Sequence, residues 1–455
     1  MAEACGGELT GAAPETLAHR VGSDSRHAQP GDLFFAIAGE RFDGHDFLAE
    51  VAGKGVTAVV AERGRVPSGL KCGVIAVDNT RQALGRFAAR YRKDFELPVI
   101  AVGGSNGKTS TKELLASVLS QKFKTVWSEA SFNNDIGVPV TLLKLDQMTQ
   151  AAVLEAGTNH PGELAPLIDM IQPRFGVITS IGREHLEFFH DLAGVAAEEG
   201  SLAEMLPHDG KLFINGDSDW TETIAKRCAA SVVRIGISNG NDWCASDIEM
   251  DASGSRFWVG APKKEFSGEY RISLLGNHQV VNALFAVAVG AELGLTREEI
   301  LHGLAGAKPA KMRLQTWIWN GICVLDDAYN ANADSMAAAL ETLRRMPCAG
   351  RRVAVLGDMG ELGAHSQAGH EEVGRRAAES GVEQLFAVGK MAGVMAHAAR
   401  TAGLKNVGEF SDPMTAVESV KQFLKAGDVM LLKASRATRL ERLAEALRSS
   451  GEAKV

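Results

Sequence analysis

No two cysteines stand in a C-x-x-C arrangement; Cys5, Cys72, Cys228, Cys244, Cys323 and Cys348 are scattered along 455 residues. That scatter argues against a structural zinc site and a disulfide framework, and it fits a reducing compartment. Long apolar runs are also missing. The best stretch, 280–295, is broken by Asn282 and Glu292, so nothing reaches the roughly 18 apolar residues of a membrane helix. The opening Met1-Ala2-Glu3-Ala4-Cys5 lacks the basic region and apolar core of a secretory leader. A cytoplasmic protein with no membrane insertion is expected. Basic surplus is absent too: 48 Lys and Arg against 56 Asp and Glu leave a net charge of −8. Nucleic-acid binding through phosphate contacts needs the opposite balance, so no nucleic-acid partner is expected. There is no low-complexity tract and no short-period repeat.

What is plentiful is glycine, 49 of 455 residues, or about 11% against a usual value of roughly 7%. Many sharp strand-to-helix turns would account for that surplus. The length suggests about three domains at roughly 150 residues each. Short apolar runs at 33–39, 58–62 and 74–79 alternate with helix-like stretches at 45–53 and 81–93, which reads as a small α/β unit ending near Leu97-Pro98. Fully apolar strands follow at 99–102, 151–155 and 175–181, the pattern of a parallel sheet covered on both faces. Segment 231–275 alternates polar and apolar residues and reads as a β-rich insertion, followed by a helix over 280–293 opened by Gly276-Asn277-His278. A third βα series has strands at 322–326, 353–357, 385–389 and 429–433. In open α/β sheets ligands bind beyond the carboxyl ends of the strands, so those ends are where chemistry is sought.

The strand at 99–102 runs into Gly103-Gly104-Ser105-Asn106-Gly107-Lys108-Thr109-Ser110 and then an amphipathic stretch with Leu114, Leu115, Val118 and Leu119 on one stripe. Strand, glycine-rich turn, Lys-Thr and helix form a phosphate cradle. Backbone N–H groups converge, the helix N-terminus adds positive potential, Lys108 meets the terminal phosphates and the Thr109 hydroxyl is a Mg²⁺ ligand. The strict G-x-x-x-x-G-K-[ST] pattern would need glycine at Val102, so this is a shorter variant.

Hard cations want oxygen ligands. Glu155 closes an apolar strand before Ala156-Gly157, and His185 follows another within Gly182-Arg183-Glu184-His185-Leu186-Glu187. Alone, Glu155 reads equally as a solvated strand-end acid, and a lone histidine such as His185 is more often structural than a ligand; three successive strand ends presenting Thr109, Glu155 and His185 read better as a cluster. Asp326-Asp327 precede Tyr329-Asn330-Ala331-Asn332 and suit ribose hydroxyls, a metal or an Asx-capped turn. Lys311 and Arg313 either balance phosphate charge or form a solvated basic linker.

Taken together, Gly104-Ser105-Asn106-Gly107-Lys108-Thr109, Glu155-Ala156-Gly157, His185-Leu186-Glu187, Gly276-Asn277-His278-Gln279-Val280-Val281-Asn282 and Met312-Arg313-Leu314-Gln315 resemble the ATP-dependent Mur ligases of peptidoglycan synthesis. Further blocks extend the resemblance from about residue 23 to 440: Ser25-Arg26, Phe132-Asn133-Asn134, Asn159-His160-Pro161-Gly162-Glu163 and Gly357-Asp358-Met359-Gly360-Glu361-Leu362-Gly363. The resemblance implies a three-domain α/β fold. Residues 1–97 would recognise the UDP-sugar, 98–313 would form a central P-loop parallel-sheet ATPase, and 314–455 a Rossmann-like domain for the amine substrate and closure. It implies an ATP-dependent amide ligase that adds D-alanyl-D-alanine to UDP-N-acetylmuramoyl-tripeptide through an acyl phosphate, with ATP and Mg²⁺ as cofactors and a monomer as the working form. The alternatives are a sister ligase adding a diamino acid to the muramoyl dipeptide, and a P-loop kinase or NTPase.

The resemblance also implies roles. Gly104 to Ser110 and Lys108 would hold ATP, Asn282 the adenine, Arg313 the terminal phosphate and Asp327 the ribose. Thr109, Glu155 and His185 would bind Mg²⁺. Ser25 and Arg26 would meet the UDP moiety, and Asn133 and Asn134 the muramoyl peptide. Tyr329, Asn330, Asn332, Lys433 and Arg436 would line the dipeptide or the closed site. Two departures stand out. Glu199 occupies the position where these ligases usually carry a carbamoylated lysine, and is expected to supply that carboxylate directly. Lys433 is followed by Ala434, where glycine is usual.

Overall fold

The computed structural model describes residues 1–13, 15–39, 42–450 and 453–454. The chain divides into two compact units, one of residues 1–101, 124–158 and 165–173, the other of 102–123, 159–164 and 174–455.

The first unit holds a five-stranded sheet. Arg20–Gly22, Asp32–Phe35, Ala58–Glu62 and Gly73–Val77 run parallel, and Glu8–Thr10 closes the far edge antiparallel to Gly73–Val77. Side chains of a strand point alternately to its two faces. Leu33, Phe35, Val60, Ile75 and Val77 therefore enter one core, and Phe34, Ala36, Val59 and Ala61 the other. Both faces are covered, which is why these strands carry so few polar residues. The helix Thr80–Arg92 is started by Asn79, whose side chain accepts from the Gln82 N–H at 2.9 Å. A parallel pair, Thr125–Trp127 and Ala151–Glu155, belongs to the same unit.

The second unit holds two sheets. In one, Phe175–Ile178, Lys211–Asn215 and Ser231–Gly236 are parallel and Trp243–Asp251, Gly254–Gly260 and Gly268–Ile272 form an antiparallel meander. The meander is the β-rich insertion expected at 231–275, except that its first strand joins the parallel set through Ile235 and Gly236. The helices Lys108–Leu119 and Asn277–Glu292 belong here, the latter beginning three residues earlier than its apolar pattern. The other sheet is a Rossmann-like series in the order Asn406–Phe410, Gln384–Val388, Arg352–Gly357, Val429–Lys433, Ile322–Asp327, followed by Gln315–Trp319 and, at the edge, Ala453–Lys454, each antiparallel to its neighbour. No helix among the described residues is long and apolar enough to cross a membrane.

Seven strands were not legible in the sequence: Glu8–Thr10, Arg20–Gly22, Thr125–Trp127, Lys211–Asn215, Gln315–Trp319, Asn406–Phe410 and Ala453–Lys454. Glu8–Thr10, Arg20–Gly22 and Asn406–Phe410 are short and partly polar because they lie at sheet edges, where only part of the strand is buried. The strand expected over 175–181 stops at Ile178, because residues 179–182 leave the sheet to hold the phosphate loop.

Candidate active site

The phosphate loop joins the strand Val99–Gly103 to the helix Lys108–Leu119. Gly104 has φ +108°, and a Cβ there would sit 2.5 Å from Thr179 Oγ1; Gly107 has φ +91°, with a Cβ position 2.6 Å from Asn282 Oδ1. Both the left-handed backbone and the lack of space demand glycine. The loop is pinned from one side. Ser105 N–H donates to Ser180 O at 2.8 Å, Asn106 N–H to Ser180 Oγ at 2.9 Å, and Gly182 N–H to Ser105 Oγ at 2.8 Å. Lys108 folds over the turn, donating to Gly104 O at 2.5 Å and Ser105 O at 3.3 Å, with Glu184 Oε2 at 3.5 Å. Ser110 and Thr109 are buried in the first turn of the helix.

Beneath the loop lies Glu199, 1% exposed. Its Oε2 accepts the Gly104 N–H at 2.6 Å, while Oε1 has no hydrogen-bond partner among the described residues. Burial pushes the Glu199 carboxyl up to about 7; Lys108 pulls it down and Glu184 pushes it further up. Glu184 is raised by burial as well, against the pull of Lys108 and His185. Two buried acids thus share one lysine, and the site is short of positive charge. An orphaned carboxylate oxygen in such a place fits a hard cation. Among the described residues no three His, Cys, Asp or Glu side chains converge on one point.

His185 has φ +48°; its Nδ1 bonds the Glu361 carboxylate, and its Nε2 lies 3.8 Å from Glu184 Oε2. A ring fixed through one nitrogen presents the other to a ligand. Asn282 is buried against Gly107, and its Nδ2 donates to Gln279 Oε1 at 3.0 Å. It therefore buttresses the phosphate loop directly. A cavity of about 210 Å³ opens nearby, lined by Met250, Asn277, His278, Ala338, Thr342 and Arg345 among others.

From the Rossmann-like sheet, Lys433 donates to Asp327 Oδ2 at 2.6 Å and Asn330 O at 3.0 Å. Burial lowers the Lys433 pKa, and Asp327 opposes that. The Arg313 guanidinium sits 4.2 Å from the centre of the Tyr329 ring, a cation–π contact that sets its direction. Asn332 caps the helix Ala333–Arg345 and donates from Nδ2 to Asn106 Oδ1 at 3.0 Å, so a residue expected near the dipeptide also touches the phosphate loop. Arg436 pairs with Glu441 at 3.1 Å.

In the first unit, Glu155 ends its strand 1% exposed, accepting from Asn133 Nδ2 at 2.9 Å. Asn134 accepts from the Gly137 N–H at 2.9 Å and opens the helix Gly137–Leu142. Arg26 forks onto Asp24, Nε to Oδ1 at 2.9 Å and Nη2 to Oδ2 at 2.7 Å, and Ser25 O accepts from Lys54 Nζ at 2.7 Å. Arg26 is bidentate and largely solvent-exposed, the state in which a guanidinium can exchange one anion for another.

Sequence reasoning missed Glu184, Glu361, Arg183, Asp334 and Glu372. Glu184 and Arg183 stand inside the block read only for His185. The others lie more than a hundred residues from their partners, and no spacing signal connects them.

These features describe an ATP-dependent ligase scaffold, and the sequence comparisons agree. Residues 17–92 match the Mur ligase family catalytic domain, 102–290 the Mur ligase middle domain and 312–436 the Mur ligase glutamate ligase domain. The chain belongs to the Mur ligase family. Within it, the UDP-N-acetylmuramoyl-tripeptide–D-alanyl-D-alanine ligase of Escherichia coli K12 is 37% identical over 98% of this chain and 96% of its own. The ligase of the same name from Bacillus subtilis is 33% identical over 95% and 94%. Among solved structures, MurF from Acinetobacter baumannii superposes with a TM-score of 0.89 at 33% identity, covering 98% of this chain and 97% of that one. MurF from Thermotoga maritima, solved with ADP, gives 0.84 at 27% identity over 96% and 99%. The architecture is the three-domain α/β fold of these ligases.

Proposed function

We propose that this chain joins D-alanyl-D-alanine to UDP-N-acetylmuramoyl-tripeptide at the expense of ATP. Residues 1–97 take the UDP-sugar, 98–313 the ATP and 314–455 the amine. Full-length similarity to ligases of that name supports the substrates, and the buried, cation-short phosphate loop supports the chemistry. A free carboxylate is a poor acyl donor because its leaving group would be oxide. Transfer of the γ-phosphoryl group gives an acyl phosphate; the dipeptide amine attacks its carbonyl, and phosphate leaves as the amine loses a proton.

The chain's residues position the reactants and neutralise charge. Lys108 exchanges its loop carbonyls for the terminal phosphates. Arg313, directed by Tyr329, meets the transferred phosphoryl group. Glu199 offers its orphaned oxygen, and Thr109 and His185 a hydroxyl and a ring nitrogen, as the ligands that would hold Mg²⁺. When bound, Mg²⁺ supplies neutralisation of the developing phosphate charge. The cavity beside Asn277 and His278 suits the adenine, apolar at Met250 and Ala338 with a polar rim. The decisive observation is the Glu199 oxygen left unsatisfied directly under the phosphate loop.

The experiment is a coupled assay of ADP release. Turnover is expected only when UDP-N-acetylmuramoyl-tripeptide and D-alanyl-D-alanine are both present. Turnover with a muramoyl dipeptide and a free diamino acid would reassign the chain to a sister ligase, and hydrolysis needing neither acceptor would make it an NTPase.

A further inference from the structure

Residues 182–186 form a strap whose burial alternates, Gly182, Glu184 and Leu186 buried, Arg183 and His185 half-buried. The segment turns tightly, with Glu184 N–H donating to Gly182 O at 2.9 Å and His185 in left-handed backbone, and these turns send successive side chains to opposite sides. The inward residues address the phosphate loop: Gly182 N–H bonds Ser105 Oγ, and Glu184 faces Lys108. The outward ones address the Rossmann-like domain. Arg183 N–H donates to Asp334 Oδ2 at 2.7 Å, its Nε to Asp334 Oδ1 at 2.9 Å and its Nη2 to the same oxygen at 2.6 Å. Its Nη1 donates to Glu372 Oε2 at 2.6 Å. Gly182 permits the approach, because a Cβ there would lie 2.8 Å from Asp334 Oδ2.

One guanidinium thus bridges two helices of the Rossmann-like domain, Asp334 in the first turn of Ala333–Arg345 and Glu372 in Ser366–Glu379. Glu372 is held near 2, chiefly by Arg183. Arg376 Nε completes the carboxylate at 2.7 Å. A planar fork satisfied on both edges has one geometry, which a lysine would not reproduce. Arg183 touches none of the groups assigned to ATP.

We propose that Arg183 is a positioning residue, the latch that holds the Rossmann-like domain closed on the phosphate loop and so sets how much of the nucleotide-bound protein is ready for the amine substrate. The latch rests on the ligase reading above for its kinetic consequence, but its geometry is independent of which amine is joined. Loss of the latch should weaken amine use while leaving nucleotide binding in place, since misplacement of about an ångström costs up to roughly a hundredfold in rate.

The test uses the full chain with Arg183→Ala, Arg183→Lys and Glu372→Ala. Three quantities are measured: KM for D-alanyl-D-alanine, ADP affinity by calorimetry, and the radius of gyration of the ADP-bound protein by small-angle scattering. The expected result is a dipeptide KM raised about tenfold in Arg183→Ala and several-fold in Glu372→Ala, with Arg183→Lys between the native protein and Arg183→Ala. ADP affinity should stay within about twofold, and the ADP-bound variants should be more extended than the native protein. Glu372 is remote from the loop, so it decides the matter even where Arg183→Ala does not fold. An unchanged dipeptide KM and radius of gyration in Glu372→Ala overturns the latch, as does a loss of ADP affinity matching the loss of dipeptide use. If the native protein shows no turnover with the dipeptide, the ligase reading falls and the scattering comparison alone decides the latch.

Discussion

Glu199 carries the most chemistry per atom in this chain. The carboxylate is buried, accepts one N–H from Gly104 and leaves its other oxygen unsatisfied. Removing it abolishes a carboxylate that would hold a cation without modification. We expect Glu199→Ala to raise the Mg²⁺ concentration needed for half-maximal turnover by at least about tenfold, read from a Mg²⁺ titration of ADP release. An unchanged titration would show that the ion is held elsewhere. Gly107 is the second residue whose identity is forced. Gly107→Ala must adopt φ +91° and push a methyl into Asn282, a backbone cost of about 1–2 kcal/mol before any clash. Urea unfolding should report at least that loss, and ADP binding should weaken with it.

His278 gives a pH prediction. Burial lowers its pKa to about 4, Asp327 raising it and Lys433 lowering it further. The fold therefore prefers the neutral ring. Above the ordinary histidine pKa both folded and unfolded chains are neutral and nothing is lost. Below it the unfolded chain gains a proton that the folded one refuses, so stability falls as pH drops from about 6.5 towards 4. The ring should account for about 2 kcal/mol of the loss between pH 7 and pH 5. Urea unfolding of the ligand-free His278→Gln protein at those two pH values should lose less by that amount; an identical slope would contradict a buried neutral ring.

Among the elements, the helices are written into the chain by their first residues. Asn332 accepts from the Ser335 N–H while Ser335 Oγ returns a bond to the Asn332 N–H, a capping box at the mouth of the site. Asn332→Ala should cost about 1 kcal/mol in unfolding through the cap. Because its Nδ2 also reaches Asn106, the dipeptide KM should rise as well, whereas an ordinary cap would leave KM alone. Strands are legible where both faces are apolar, as in Ala58–Glu62 and Val429–Lys433, and hidden where one face is polar, as in Asn406–Phe410. The ends of strands are the least legible. Residues 179–181 have the composition of a continuing strand, yet Thr179 Oγ1 bonds Gly103 O and Asn106 O, and that competition ends the ladder at Ile178.

For the whole molecule, ligand binding and stability are linked. At an ADP concentration about a hundredfold above its Kd, the folded state should gain about 2.7 kcal/mol, seen as a rise in Tm. Lys108→Ala should remove most of that ADP-induced rise, and should lower the ligand-free Tm as well, because Glu184 and Glu199 lose the cation that offsets their burial. The chain by itself determined the phosphate loop and most of the fully apolar strands, since these depend on residues close in sequence. Loop geometry needs glycines at set positions, and strands need apolar runs. Only the tertiary structure decided that Glu184 answers Lys108, that Glu361 fixes His185, that Asn282 props Gly107 and that Arg183 spans to Asp334 and Glu372. Those pairs are brought together by topology, and a burial penalty that exists only in the folded state determines what each charge must find.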